Sequence, residues 1–240
     1  MKEKIGCSQP TFLPWNGYFD LIDTVDIFVF LDDAQFVRRS WHQRNKIIQN
    51  SKNIWVTLPV VKKDQATLIN QTTIFEQSKD NKILKKIEHA YARSKYFNSY
   101  FDEFKEKFND SLKLCYLDKI NIEIIKWLIN KIGIKTKLYN SSELNLANKE
   151  RSSKIAEICQ KFNCSNYLSF PGAKEYLKED FTIFKESKIN VYIQNYQTIE
   201  YSQKSKKFEG YISVLDLLFN EGPRSLSIIR DGRNKMEKIS

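Results

Sequence analysis

Apolar and polar positions change period several times along this chain, and each change marks an element. Residues 3–7 read as a strand. Over 15–24, Tyr18, Leu21 and Ile22, with Val25 just beyond, recur at helical spacing and predict one amphipathic helix. Residues 25–31 form a nearly continuous apolar run, Val-Asp-Ile-Phe-Val-Phe-Leu, the pattern of a strand buried on both faces. Strand, loop, helix and strand in this order and within this length make a βαβ unit with two parallel strands.

Arg44–Gln49 and Ile54–Val60, joined by the polar run Asn50 to Asn53, predict a β-hairpin with Pro59 near a strand end. A short strand is expected at Thr72–Ile74. Residues 78–132 read as helical, with three apolar stripes. The first is Ile83, Leu84 and Ile87; the second is Tyr96, Tyr100, Phe101, Phe104 and Phe108. The third is Ile122, Ile125, Leu128, Ile129 and Ile132, stopped by Gly133. Such stripes are core. The α/β alternation then resumes. A strand is expected at Lys135–Tyr139, a helix over 149–163, a strand at Asn166–Phe170, a helix over 173–178 and a last parallel strand at Ile189–Gln194. A capped apolar helix at Ser213–Asn220 is expected to dock on the sheet, and the basic tail after Gly222 to fray. The pattern predicts an α/β fold: a mostly parallel Rossmann-like sheet with flanking helices, a β-hairpin and a helical insert at about 78–132. No linker or internal repeat divides the chain, so 1–240 reads as a single domain.

Ligands of open parallel sheets bind beyond the carboxyl ends of the strands. Two segments of unusual composition fall there. The first, Ser8 to Phe19, follows the first strand; two of the five prolines and two of the seven glycines lie within residues 6–17. The second follows the strand at 25–31 and runs Asp32-Asp33-Ala34-Gln35-Phe36, then Arg38, Arg39, Trp41, Arg44 and Asn45. Carboxylates accept protons or hold divalent ions, so Asp32 and Asp33 are candidate catalytic groups. Guanidinium groups match phosphate oxygens two at a time, so Arg38, Arg39 and Arg44 are candidate phosphate ligands. Trp15, Tyr18 and Trp41 could stack on a base or sugar, with Gln9, Pro10, Gln35 and Asn45 shaping the site. His89, in the first insert helix, is a further catalytic candidate, although histidines so placed are more often structural. Gly172 precedes a helix start that could receive an anion. Tyr201 and Gln203 complete the candidate set.

Composition narrows the partners. At 41% hydrophobic and 13% aromatic the chain can build a core. The net charge of +10 comes from lysines interleaved with acids, as in Lys185-Glu186-Ser187-Lys188, which argues for no nucleic acid and leaves room for a phosphorylated small molecule. Four cysteines without a C-x-x-C pair, and two histidines, argue against a zinc site; no metal or cofactor is assigned. Cys7 reads as a buried small apolar residue rather than a nucleophile. Met1 to Ile5 lacks the apolar run of a signal peptide, and no stretch is long enough to span a membrane. A cytoplasmic protein with reduced thiols and no membrane insertion is expected.

These residues also carry a resemblance. Gln9-Pro10-x-x-Leu13-Pro14-Trp15-x-Gly17-Tyr18-Phe19, then Phe28-Val29-Phe30-Leu31-Asp32-Asp33-x-Gln35-Phe36, then Arg39-Ser40-Trp41-x-x-Arg44-Asn45, resemble the WbqC-like family. Tyr167-Leu168-Ser169-x-x-Gly172-Ala173-x-x-Tyr176-Leu177, Tyr201-x-Gln203 and Ser213 to Asn220 extend the match over nearly the whole chain. The family is bacterial and archaeal and is associated with surface polysaccharide and O-antigen (lipopolysaccharide) gene clusters. The resemblance implies an enzyme of that biosynthesis. Its most concrete form is an acyl or aminoacyl transferase acting on an amino group of a nucleotide-linked sugar. The alternative is a non-catalytic protein binding a nucleotide sugar or a partner of the pathway. Where the family often has histidine before Gln9, this chain has Ser8. The layout is also similar to pantothenate synthetase and the nucleotidylyltransferases. The two phosphate-holding histidines of their first loop are absent from Pro14-Trp15-Asn16-Gly17-Tyr18, so that likeness implies a fold and not adenylyl transfer.

Overall fold

The computed structural model describes residues 3–61, 64, 66–76, 81–147 and 150–239. Residues 78–80 of the expected insert and residue 149 of the expected helix lie outside them. In chain order the strands are β1 (Lys4–Ser8), β2 (Ile27–Phe30), β3 (Arg44–Gln49), β4 (Lys52–Thr57), β5 (Lys137–Asn140), β6 (Asn166–Ser169), β7 (Asn190–Ile193) and β8 (Glu237–Lys238). The helices are α1 (Asn16–Thr24), α2 (Lys82–Tyr91), α3 (Phe97–Leu112), α4 (Leu117–Ile132), α5 (Arg151–Lys161), α6 (Lys174–Glu179), α7 (Phe181–Glu186), α8 (Val214–Glu221) and α9 (Ser225–Asp231).

Six strands form a sheet in the order β5-β2-β1-β6-β7-β8. Pairing is parallel from β5 to β7, and β8 is antiparallel to β7. The chain runs outward through β1, β2 and β5, then returns through α5 to lay β6 on the other side of β1. The order therefore reverses between β1 and β6.

Alternate side chains of a strand face opposite sides of a sheet, and this sorts the core in two. Phe28, Phe30 and Leu168 pack with α1, α2–α4 and α8, while Ile5, Cys7, Ile27, Val29, Tyr167 and Val191 pack with α5–α7. Gly6 lets α1 lie close: a Cβ there would stand 2.9 Å from Leu21. The hairpin β3–β4 stands apart from the sheet. It turns through Asn50 and Ser51, both at positive φ, the two-residue turn whose twist matches antiparallel strands. Expected strand residues Val60 and Thr73–Ile74 make isolated bridges, Val60 with Ile74 and Thr73 with Tyr116. Gly133 ends α4 in the left-handed region, as expected.

The strand at 190–193 is the last parallel one, as expected, and antiparallel β8 caps the sheet edge beyond it. Residues of α8 share the core with Phe28, Phe30 and Leu168 of the sheet, and the helix also lies against β3, α3 and α9. One expectation at the C-terminal side, the frayed tail, is corrected. The tail is not frayed: α9 buries Ile228 and Ile229. Arg230 donates to both oxygens of Asp23 at 2.8 Å, and Arg233 bridges Asp20 at 2.7 Å and Asp23 at 2.6 Å. Guanidinium–carboxylate pairs on α1 hold the tail in place.

Candidate functional site

The loop after β1 is built as a rigid frame. Backbone polar groups buried without a partner are costly, and here four of the six carbonyls of residues 9–14 are claimed. The Tyr18 hydroxyl donates to the Gln9 carbonyl (3.0 Å), Asn121 of α4 to that of Pro10 (3.1 Å), and Asn45 of β3 to that of Leu13 (2.7 Å). The Val214 amide donates to Pro14 and the Phe12 amide to Trp41, both at 2.8 Å. Leu13 has φ +48. A buried leucine there is strained by about 1–3 kcal/mol and persists because its neighbours over-determine it. Phe12 and Leu13 are fully buried, so the apolar residues of the loop face the core. Ser8 and Gln9 face outward into a cleft.

That cleft, of about 910 Å³, lies at the carboxyl ends of β1, β2 and β6. It therefore stands where the strand order reverses, the usual crevice of doubly wound sheets. Its cations come from α5, which points its first residues at the opening: Arg151 and Lys154 line the wall. The Arg151 guanidinium lies 4.2 Å from the centre of the Tyr176 ring, a cation–π contact that fixes it. The Lys154 ammonium, nearly buried, donates to Asp33, which also accepts from the Ser141 hydroxyl. Burial raises the Asp33 carboxyl, but Lys154 and Ser141 outweigh it and hold it below the ordinary range. Asp33 is thus a fixed anion that orients Lys154. Cys7 lies in the cleft floor with its thiol pushed up by burial, which keeps it protonated as expected of a buried apolar residue.

Asp32 faces the other way. It accepts from Ser141 (3.1 Å) and from the amide (3.0 Å) and hydroxyl (2.5 Å) of Ser142, and it lines a second cleft between α3, α4 and the turn after β5. The adjacent carboxylates thus stand on two sides of one wall.

The remaining sequence candidates separate. Gln9 and Gln35 line the first cleft, and Arg38 and Arg39 lie exposed on the turn after its rim residue Val37. Pro10 and Asn45 belong to the frame. Tyr18 is buried and stacked on Phe170. Trp15 packs between Tyr196 (5.6 Å) and Tyr211 (5.1 Å). Arg44 stacks on Trp55 at 4.2 Å, beside Trp41, on the outer face of the hairpin. His89 is exposed on α2. Gly172 opens only the short α6, and a Cβ placed there would meet no atom within 4 Å. Tyr201 and Gln203 both donate to the fully buried Asp216 at 2.8 Å, tying the 201–209 segment to α8.

Sequence reasoning missed Arg151, Lys154, Ser141 and Tyr176. One local signal marked the first two: basic residues in the opening turn of a helix oppose its dipole and call for another reason to be there. It also passed over His42, which is buried. The Val37 amide donates to His42 Nδ1 (3.2 Å), and Nε2 lies 2.9 Å from Gln9 Oε1. A neutral ring protonated at Nε2 satisfies both, and burial pulls this histidine down to about 4. It fixes the orientation of the Gln9 amide at the cleft.

The WbqC-like protein family model matches residues 9–228, from the first residue of the frame to α9. A relative from Mycobacterium tuberculosis (strain ATCC 25618 / H37Rv), "Uncharacterized protein Rv1507c", is 31% identical over 230 residues, covering 95% of this chain and 98% of its own. No solved structure matches. The frame, Arg151, Lys154 and the Asp216 clamp all fall inside the matched span, and the chain belongs to the WbqC-like protein family.

Proposed function

We propose that this protein is a cytoplasmic enzyme of surface polysaccharide biosynthesis that transfers an acyl or aminoacyl group to an amino group of a nucleotide-linked sugar. The observation that carries the reading is the pair Arg151 and Lys154, presented by the start of α5 into the crevice where the strand order reverses. Two fixed cations at a helix N-terminus suit a diphosphate better than a neutral ligand. Gln9, Gln35 and Ser169 supply polar edges, and Arg38 and Arg39 lie exposed just after the lining residue Val37. In the transfer, the amine nitrogen attacks the carbonyl carbon of an activated ester or thioester. The nitrogen–carbon bond forms, the bond to the leaving oxygen or sulfur breaks, and the amine proton passes to a base. Asp33 serves as anchor of Lys154 in this reading, and Asp32 lies across the wall.

The second reading, a non-catalytic binder of the same nucleotide sugar, draws on the structural engagement of both carboxylates, each of which accepts a hydrogen bond from serine. One experiment separates the two. Nucleotide-linked amino sugars are screened for a rise in Tm. Those that bind are incubated with acyl donors and analysed by mass spectrometry. Binding with an acylated product supports the enzyme; binding without product for any donor supports the binder; no binding refutes both.

A further inference from the structure

On the far side of the Asp32–Asp33 wall lies the second cleft, of about 590 Å³, between α3, α4 and the turn after β5. Its lining includes several acceptors. Asp118, in the first turn of α4, is only 4% exposed, and its Oδ1 has no hydrogen-bond partner among the described residues. The Asn70 side-chain oxygen is likewise buried and unpartnered, and the Asn70 amide is tied to the Asp32 carbonyl at 3.0 Å. Asp32 contributes its carboxylate. Burial, with Asp32 adding to it, pushes the Asp118 carboxyl up to about 6.

Lysines lie at this cleft, but they are engaged. Lys107 and Lys126 both pair with Glu123, at 2.6 and 3.2 Å, and Lys119 lies over the Tyr116 ring. A buried acceptor without a donor costs free energy, and here two such oxygens belong to residues that line one cleft with the Asp32 carboxylate. The group that answers them brings several N–H donors and a positive charge. We infer that the Asp32–Asn70–Asp118 end of this cleft is a binding site for a primary ammonium group. An ammonium offers three donors to three acceptors. The inference rests on this cleft alone and stands whether or not the first cleft binds nucleotide sugars.

The test uses the full chain and amide NMR spectra at constant ionic strength. Methylammonium chloride is titrated against tetramethylammonium chloride, which carries the same charge without donors, and against magnesium chloride. Saturable shifts around residues 70, 118 and 142 with methylammonium alone are expected. Asn70→Ala and Asp118→Asn should each weaken that binding about tenfold or more, the scale of a lost hydrogen bond to a charged group. Equal shifts with tetramethylammonium, saturation by magnesium alone, or no saturable shift would overturn the assignment. If Asp118→Asn does not fold, the three-salt comparison and Asn70→Ala still decide it. A nucleotide-sugar titration on the same sample reports on the first cleft separately, through residues 151 and 154.

Discussion

Replacing Lys154 by Met tests whether the anionic wall of the first cleft is held by charge. The side chains of Lys154 and Asp33 are 10% and 16% exposed. Stripping one partner from a buried pair costs about 3–5 kcal/mol, because the other charge is left uncompensated. Asp33 keeps the Ser141 hydroxyl and stands at a cleft mouth, so the expected loss for Lys154→Met is nearer about 2–3 kcal/mol. Asp33→Asn should cost a similar amount by leaving the ammonium unpaired. The double variant removes both charges, so it should be more stable than the sum of the single losses by about 1–3 kcal/mol. Urea unfolding at pH 7 measures all four proteins. The sign with pH follows. Asp33 is held below its ordinary 3.8, so the pair's contribution is present at neutral pH and is lost as pH falls below about 4. The gap between wild type and Lys154→Met should therefore close in acid. Additive losses at pH 7, or a gap unchanged down to pH 3, would refute the reasoning.

Asp216 is fully buried and raised from 3.8 to about 6 by burial. Its ionised form is penalised by about 3 kcal/mol, so the protein should lose stability as pH rises from 4 past 6. Asp216→Asn should flatten that loss in urea midpoints taken at pH 5 and pH 8. The His42 ring should titrate near 4 by NMR, its neutral form being the one that bonds Gln9 and Val37; a midpoint at 6.5 would contradict the buried frame. A Cβ at Gly17 would stand 2.3 Å from the Trp15 ring. Gly17→Ala should therefore expel Trp15 from between Tyr196 and Tyr211, with red-shifted fluorescence and a loss of about 1–3 kcal/mol.

Much of the fold is legible because it is written in period. The run Ile27-Phe28-Val29-Phe30 has no polar face and forms an interior strand, and the stripes of α2–α4 form core. The position of the first cleft is legible for the same reason, since two odd loops follow two predicted parallel strands. Its chemistry is not. The cation that meets Asp33 lies 121 residues away in sequence, and pairing at that range is set by topology. Arg44 looks like a phosphate ligand beside Asp32, but strand pairing places it against Trp55 on the hairpin. Trp15 and Tyr18 carry the same residue types as a stacking platform, and packing alone decides that Tyr18 is buried and that Trp15 is held between Tyr196 and Tyr211. The tail reads as frayed because its few apolar residues are outnumbered by charges whose partners, Asp20 and Asp23, sit on α1.

The proposed function turns on which cations meet the ligand. Calorimetric titration of nucleoside-diphosphate-linked sugars into wild type, Arg151→Ala and Arg44→Ala decides it. Losing a charge-assisted contact from the first cleft should weaken binding by about tenfold or more in Arg151→Ala, while Arg44→Ala on the hairpin binds as wild type does. Binding that survives Arg151→Ala and is lost in Arg44→Ala would contradict the assignment and move the site to the hairpin face.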